Sequence, residues 1–456
     1  LAIPTLASLT PTGHKIRVFD ENIETIDYGW KPDLVGISVR TMLATRAYEI
    51  SETFRKRGAK TILGGIHTSM CPDEALQHCD AVVVGEAEKV WAKLIDDAQQ
   101  GKLEKIYKAD SFVDLSAAPL PNRNAIKSDM YINDLVQTTK GCPFHCEFCS
   151  VHAYDGQKIR NKLVEKVIEE IKSLNLTSSR YKNKGKAIFI ADDNIIANIP
   201  FARQLFTALK PLNIKWTCQA SINLSQHDDL MDLMREAGCG TVFIGFESIS
   251  EKNLEAMSKN VNARHNYLEA VKKINAHGLQ IISSFIVGYD FDTHESFDEL
   301  IDFIEEANLL EPVVNVLTPL PGTKLFHRFE KEERLLHKNW DLYDTKHVVF
   351  KPTNMSHEEL QAGFDRINKT IYSLDSIYRK IVYFGEQGFW LPQNQADPIR
   401  LPYRILFALR MASLLFSTNW ERSKFILKIM PKIFDNRYRI TKILMLMAYN
   451  DYANSY

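Results

Sequence analysis

The chain has 456 residues, 45% hydrophobic and 25% charged, with a formal net charge of −1, ordinary values for a soluble globular protein of about three domains. No run reaches the ~18 apolar residues of a membrane span, no signal-peptide pattern is visible, and near-zero charge gives no general reason to expect nucleic acid. Seven cysteines fit a reducing cytosol, the expected location. The chain opens at Leu1 instead of Met, so further residues are expected upstream.

Residues 1–105 read as α/β. Lys15–Asp20 and Leu34–Ser38 are expected strands, Ala44–Arg57 has helical spacing, and Thr61–Gly65 is the next strand and turn. Asp73–His78 is a short helix, Ala81–Gly85 another strand, and Ala87–Gln100 a helix. Near-continuous apolar strands between helices predict a doubly wound parallel sheet, and such sheets bind ligands at the carboxyl ends of their strands. Those ends carry Ser38, Arg40 and Thr41, then Gly64 and Gly65, then Gly85 and Glu86. Small residues there let a large flat ligand approach the backbone, although glycine after a strand is also plain turn chemistry.

Residues 106–135, with Pro119 and Pro121, read as an extended linker. From 136 to 328 six strands are expected: Val136–Thr139, Ala187–Ala191, Ile214–Ala220, Thr241–Phe246, Ile281–Val287 and Pro312–Thr318. Helices at Leu163–Leu174, Pro200–Leu209, Asp228–Ala237, Ala263–His277 and His294–Ala307 separate them. That rhythm predicts a partial (βα)6 TIM-like barrel with its working groups at the strands' C-terminal ends. Residues 329–456 are mainly helical, with a helix over 357–384, a loop from Trp390 to Ile399, and two helical stretches within 402–448.

Gly141-Cys142-Pro143-Phe144-His145-Cys146-Glu147-Phe148-Cys149 is the densest chemistry in the chain. Three thiols in a tight loop directly after a strand suit an iron–sulfur cluster, whose usual protein ligands are thiolates. Three leave one iron of a [4Fe-4S] cubane open to a small molecule. Zinc competes, but a structural zinc site takes four protein ligands, and His145 sits awkwardly between two of the three. The other cysteines, Cys71, Cys79, Cys218 and Cys239, are scattered and read as small buried hydrophobes.

The CxxxCxΦC pattern, with Phe148 as Φ, resembles the signature of the radical S-adenosylmethionine (SAM) superfamily. The phrases GISVRT, LGGIHTSMCPDEAL and DAVVVGEAE resemble the cobalamin-binding domain that precedes one large class of these enzymes. CEFCSVHAYDGQKIR, FIADDNIIANIPFA, WTCQASINL and VFIGFES resemble, within that class, the group of hopanoid C-2 methylases and tetraether-lipid ring synthases. The resemblance implies that Cys142, Cys146 and Cys149 hold the cluster, that SAM chelates the open iron, and that reduction yields a 5′-deoxyadenosyl radical. It departs from the family in two places. The first strand and loop, where some cobalamin proteins (though not usually this class) carry Asp-x-His-x-x-Gly, would lie upstream of Leu1, which leaves the lower face of cobalt unassigned with Arg40 and Met42 as candidates for lying near it. Asp192-Asp193-Asn194 also stands where many members carry Gly-Gly-Glu.

On that resemblance Asp192 or Asp193 would hold the SAM amino group, the plain alternative being an Asx turn. Gln219 and Ser221 would bond SAM or substrate, or be structural. Glu247 would accept from both ribose hydroxyls, as acids do in dinucleotide folds; its alternative is an idle surface glutamate. Gly288 would lie against adenine, and Tyr289 and Asp290 are the catalytic candidates at the mouth. Lys424, Lys428 and other C-terminal cations, set among Trp420, Phe425 and Leu444, would let a basic helix pair lie on an anionic bilayer at the inner membrane face. The same pattern equally describes an amphipathic pair packed on the barrel.

The expected activity is cobalamin-dependent C-methylation of an unactivated carbon of a lipid-like substrate, fed by a flavodoxin or ferredoxin. The radical would take a hydrogen atom, methylcobalamin would supply the methyl group, and a second SAM would restore it. Ring closure without methyl transfer and a non-catalytic cobalamin or redox sensor are the other readings.

Overall fold

The computed structural model describes residues 1–174, 187–259, 261–262, 265–388, 405, 420–433, 435 and 440–454. Its first sheet is built from β1 (Leu34–Ser38), β2 (Lys60–Gly64), β3 (Ala81–Val84) and β4 (Ile106–Lys108), all parallel and in sequential order. Alternation along the strands decides which side chain faces which layer. Leu63 and Val82 bury against Ala44, Ala47 and Tyr48 of the helix Ala44–Lys56. Ile62, Ala81 and Val83 bury against Trp91, Leu94 and Ile95 of the helix Trp91–Gln99. Both faces are therefore dry.

Two local expectations need correcting. Lys15–Asp20 forms no strand: the stretch is largely exposed, and side-chain bonds anchor it, from Arg17 to Asp27 and from Tyr131 to Asp20. Ile106–Lys108, assigned to the linker, instead supplies the fourth strand, because Tyr107 is buried in the layer that holds Val83 and Trp91.

The second sheet contains β5 (Asn133–Val136), β8 (Ala187–Ile190), β9 (Lys215–Ala220), β10 (Cys239–Glu247), β11 (Gln280–Val287) and β12 (Glu311–Val316). Its order is β12-β11-β10-β9-β8-β5, every pair parallel, which is the open six-stranded barrel. The first of its strands starts three residues before the expected Val136 and stops there. Thr139–Lys140 (β6) pairs antiparallel with Arg160–Asn161 (β7) instead, so a short ribbon brackets the cysteine loop.

The expected helix over 357–384 is two, His357–Ile371 and Leu374–Glu386, with Ser373 capping the second through the Ser376 amide. The expected loop from Trp390 to Ile399 and most of the next helical stretch lie outside the described residues. The helices Trp420–Ile433 and Ile440–Ala453 bury Phe425, Ile426, Ile429, Ile443 and Leu446 against Ile377, Ile381 and Phe384. Trp420 (68% exposed) and Leu427 (59%) face out. No helix among the described residues is long and apolar enough to cross a membrane.

The two sheets share packing. Phe326, Trp340, Tyr343 and Val349 join Val39, Tyr48 and Leu63 in one apolar cluster, and a Cβ on Gly322 would meet the Met70 sulfur at 2.2 Å. Oε1 of Glu74 accepts from Tyr48 at 2.9 Å and from the Trp340 indole at 2.8 Å, with His67 Nε2 at 3.4 Å. Burial would raise the Glu74 carboxyl, but these bonds hold it below the usual range.

Candidate active site

The cysteine loop is held from three sides. At its entry Gly141 has φ +91°, and a Cβ there would lie 2.6 Å from the Lys158 carbonyl oxygen, so only glycine fits. The Cys142 amide donates to the Gly156 carbonyl at 3.2 Å, and the Glu147 amide to the Met257 carbonyl at 3.0 Å. The Leu325 amide reaches the Glu147 carbonyl at 3.1 Å. Burial pushes all three thiols up, Cys149 to about 12, with neighbouring thiols adding to the shift at Cys146 and Cys149. Thiols in such surroundings become thiolates when a metal binds.

Among the described residues only His67, Cys71 and Glu74 bring three ligand atoms within 4.8 Å of one another. Cys142, Cys146 and Cys149 form no such compact trio. His145 is exposed and meets Gln157 at 3.1 Å. The donor set fits the cluster. Phe148 is half-buried against the barrel core.

Glu247 ends β10 beyond a register shift, the kind of bulge that re-aims a side chain. Its φ is +64°, a left-handed conformation that a non-glycine residue adopts at a cost of about 1–2 kcal/mol. Oε1 of Glu247 accepts from Lys259 Nζ at 2.9 Å, and a Cβ on Gly245 would lie 2.3 Å from that oxygen. Burial would lower the Lys259 ammonium, but Glu247 and the Cys146 and Cys149 thiols hold it well above its usual value. Sequence reasoning missed Lys259, because nothing in the pattern twelve residues past Glu247 marks it. Its second partner, the cysteine loop, is more than a hundred residues away.

The acid pair at the end of β8 divides its work. Asp192 is fully buried; Oδ1 accepts from the Thr138 amide at 2.6 Å and the Thr139 amide at 2.9 Å, and Oδ2 from the Thr138 hydroxyl. Its oxygens are committed to tying β8 to the β5–β6 corner. Oδ2 of Asp193 is buried without a partner, and burial, then Asp155 and Asp192, push that carboxyl up to about 7. An orphaned acid oxygen suits an incoming ammonium. Asp192→Ala should strand two buried amides at about 1–3 kcal/mol each. Asp192→Asn, which can still accept from both, should melt near the parent in a thermal unfolding scan.

The remaining candidates scatter. The Asn194 Nδ2 donates to Ser221 Oγ at 3.0 Å and the Ser221 amide returns to Asn194 Oδ1 at 3.2 Å, a closed knot at the ends of β8 and β9. Gln219 is half-buried on β9, its carbonyl taken by the Ile195 amide. Gly288 (φ +99°) packs so closely on Leu360 that a Cβ would approach to 2.6 Å, and its amide goes to Asp292 at 2.7 Å.

Tyr289 and Asp290 do not stand free at the mouth. The Tyr289 hydroxyl donates to Glu147, and Asp290 pairs with Arg328 at 2.6 Å and Arg334 at 2.9 Å. Arg328 also donates to Glu147 at 2.7 Å. This network clamps the outer side of the cysteine loop, with Asp290 also lining the adjacent cleft. A cleft of about 450 Å³ beside it is lined by Glu147, Phe291, Lys324 and Arg328.

On the first sheet Ser38 and Arg40 are exposed, Gly64 and Gly65 half-buried, and Thr41 buried. Met42 (40%) and Leu43 (49%) are exposed beside them. Gly65 has φ +95°, and a Cβ there would meet the Val39 backbone at 2.9 Å. The Gly85 amide donates to Ser69 at 2.8 Å. Glu86, expected at the same ligand, instead has both oxygens in ion pairs with the β6–β7 ribbon.

Family models match in the same order as the folds: the B12 binding domain over residues 10–95, the Radical SAM superfamily over 136–304, and a domain of unknown function (DUF4070) over 323–454. The bacteriochlorophyllide d C-8(2)-methyltransferase of Chlorobaculum tepidum is 34% identical over 77% of this chain and 80% of its own length. The hopanoid C-2 methylase of Rhodopseudomonas palustris is 29% identical over 73% and 64%. Among solved structures, the radical SAM methyltransferase TsrM from Kitasatospora setae, with cobalamin and a [4Fe-4S] cluster bound, aligns with a TM-score of 0.60 at 14% identity over 89% of each chain. The cysteine loop, the open barrel, the preceding parallel sheet and these matches agree: the chain belongs to the B12-binding radical SAM methyltransferases, which use a [4Fe-4S] cluster, SAM and cobalamin.

Proposed function

We propose that this cobalamin-dependent radical SAM methyltransferase methylates an unactivated carbon of a large apolar substrate, a hopanoid-like lipid being the leading class. The observation that carries the reading is the junction where the β3 end of the first sheet meets the ribbon flanking the cysteine loop, Glu86 pairing with Lys140 and Arg160. When bound, the cluster and SAM supply hydrogen-atom abstraction, and cobalamin supplies the methyl group. The protein's part is to bind, orient and exclude water.

Cys142, Cys146 and Cys149 would hold the cluster, and the free Asp193 oxygen would accept from the SAM ammonium. Lys259 would offer its cation to the SAM carboxylate, and Glu247 would take the ribose hydroxyls. Ser38, Arg40, Thr41, Gly64, Gly65 and Gly85 would face the corrin. No general base is needed where a hydrogen atom is what leaves.

Two named relatives act on polycyclic molecules, a bacteriochlorophyllide and a hopanoid, which supports an apolar substrate. A small one-electron donor such as a flavodoxin or ferredoxin would supply the reductant. Trp420, Lys424, Leu427 and Lys428 share the exposed face of one helix, and that face supports contact with an anionic bilayer.

The test is product mass. Reconstituted protein, incubated with reductant, SAM, methylcobalamin and a hopanoid or chlorophyllide panel, should add one CH2 unit to one of these classes. Loss of two hydrogens without mass gain would replace methylation by ring closure.

A further inference from the structure

The N-terminal sheet meets the cysteine loop through a buried ion-pair group that the reaction so far leaves unused. Glu86 lies one residue past the Gly85 strand end of β3, and its side chain is 2% exposed. Its carboxylate takes Lys140 Nζ at 2.9 Å and both oxygens take Arg160 Nη1 at 2.9 Å. Lys140 reaches Glu88 as well, at 3.0 Å. The two cations sit on paired positions of the β6–β7 ribbon, and Lys140 is followed immediately by Gly141 and Cys142.

Further bonds fix the same junction. Arg160 donates to the Val113 carbonyl and the Asp155 carbonyl, each at 2.9 Å, and stands 4.6 Å over the Phe112 ring. The Val113 amide returns to Glu86 at 2.6 Å, and the Tyr154 hydroxyl donates to the Gly85 carbonyl at 3.3 Å. The segment at Val113 and both strands of the β6–β7 ribbon are thus tied to one carboxylate just past β3.

We propose that Glu86, Lys140 and Arg160 form a strut that sets where the cobalamin sheet stands relative to the cysteine loop. They are positioning residues for methyl hand-over, touching neither substrate nor cofactor. A buried carboxylate between two cations is a poor way to add stability alone, since desolvation consumes most of the Coulombic gain. What it confers is a preferred geometry, because Glu86 meets Lys140 and Arg160 together only when the β3 end and the β6–β7 ribbon stand against each other. Methyl transfer needs that geometry, and a misplacement near 1 Å can cost about 100-fold in rate. The inference rests on the reading that the corrin lies at the strand ends of the first sheet.

Full-length holoenzyme with Glu86→Gln tests it, with Arg160→Lys as a second variant that keeps the charge but loses the fork to Val113 and Asp155. Both should retain iron, cobalamin and 5′-deoxyadenosine formation near parent levels. Methylated product per deoxyadenosine should fall about 10- to 100-fold. The magnetic interaction between cob(II)alamin and the reduced cluster, read by electron paramagnetic resonance without turnover, should change or broaden in both. An unchanged interaction together with an unchanged product ratio overturns the strut. If the parent protein itself shows no such interaction although both cofactors are bound, the corrin is elsewhere and the underlying reading fails instead.

Discussion

Cys146→Ala should yield a folded protein without a cluster. Cys146 is the most buried of the three loop cysteines, and its loop is tied by backbone bonds that the substitution leaves intact. The barrel core is formed by other residues, so the thermal midpoint of the apo protein should stay close to the parent's. Reconstitution with iron and sulfide under argon should turn the parent brown with a reducible [4Fe-4S] signal. The variant should remain near colourless, and its 5′-deoxyadenosine production should fall to background. An unaltered cluster signal would discard the ligand assignment and every later step with it.

Glu247→Gln carries the next largest effect. The substitution keeps the left-handed backbone and the shape of the side chain but removes the charge. A hydrogen bond to a charged group contributes about 1.5–3 kcal/mol. SAM affinity should therefore drop about 10- to 100-fold, measured by calorimetry on the cluster-loaded protein. Lys259 would be left beside a neutral amide, so Lys259→Met belongs in a double-mutant cycle with it. Coupling of the two losses is expected from their direct 2.9 Å contact. Unchanged SAM affinity in Glu247→Gln would remove the acid from the SAM site.

The tyrosine and acid that follow β11 show how a strand-end position misleads. Both lie where barrel enzymes keep their reacting groups, and both are polar. Yet the partners that claim them, Glu147 in the cysteine loop and Arg328 on the helix Lys324–Lys331, are set by contacts between distant segments. Asp192 and Asp193 make the same point at closer range. The sequence offers two adjacent acids with equal claims, and only the fold shows that Asp192 is taken up by Thr138 and Thr139 while Asp193 keeps an unpartnered oxygen. The tie between Glu86 and the β6–β7 ribbon was similarly invisible, since a glutamate after a glycine turn looks the same whether it faces ligand or arginine.

Local pattern alone was enough for the cysteine loop and for most strands and helices of the two sheets, but not for Lys15–Asp20 or Ile106–Lys108. Apolar periodicity, glycine at positive φ and the spacing of three thiols are short-range properties, and each element buries its own apolar face wherever it packs. What the tertiary structure alone decided was which polar side chains remain available for chemistry. Availability depends on whether a partner arrives from across the chain. At Lys259, Glu86, Asp192 and Tyr289 the partner comes from 12 to 142 residues away, beyond the reach of any local pattern.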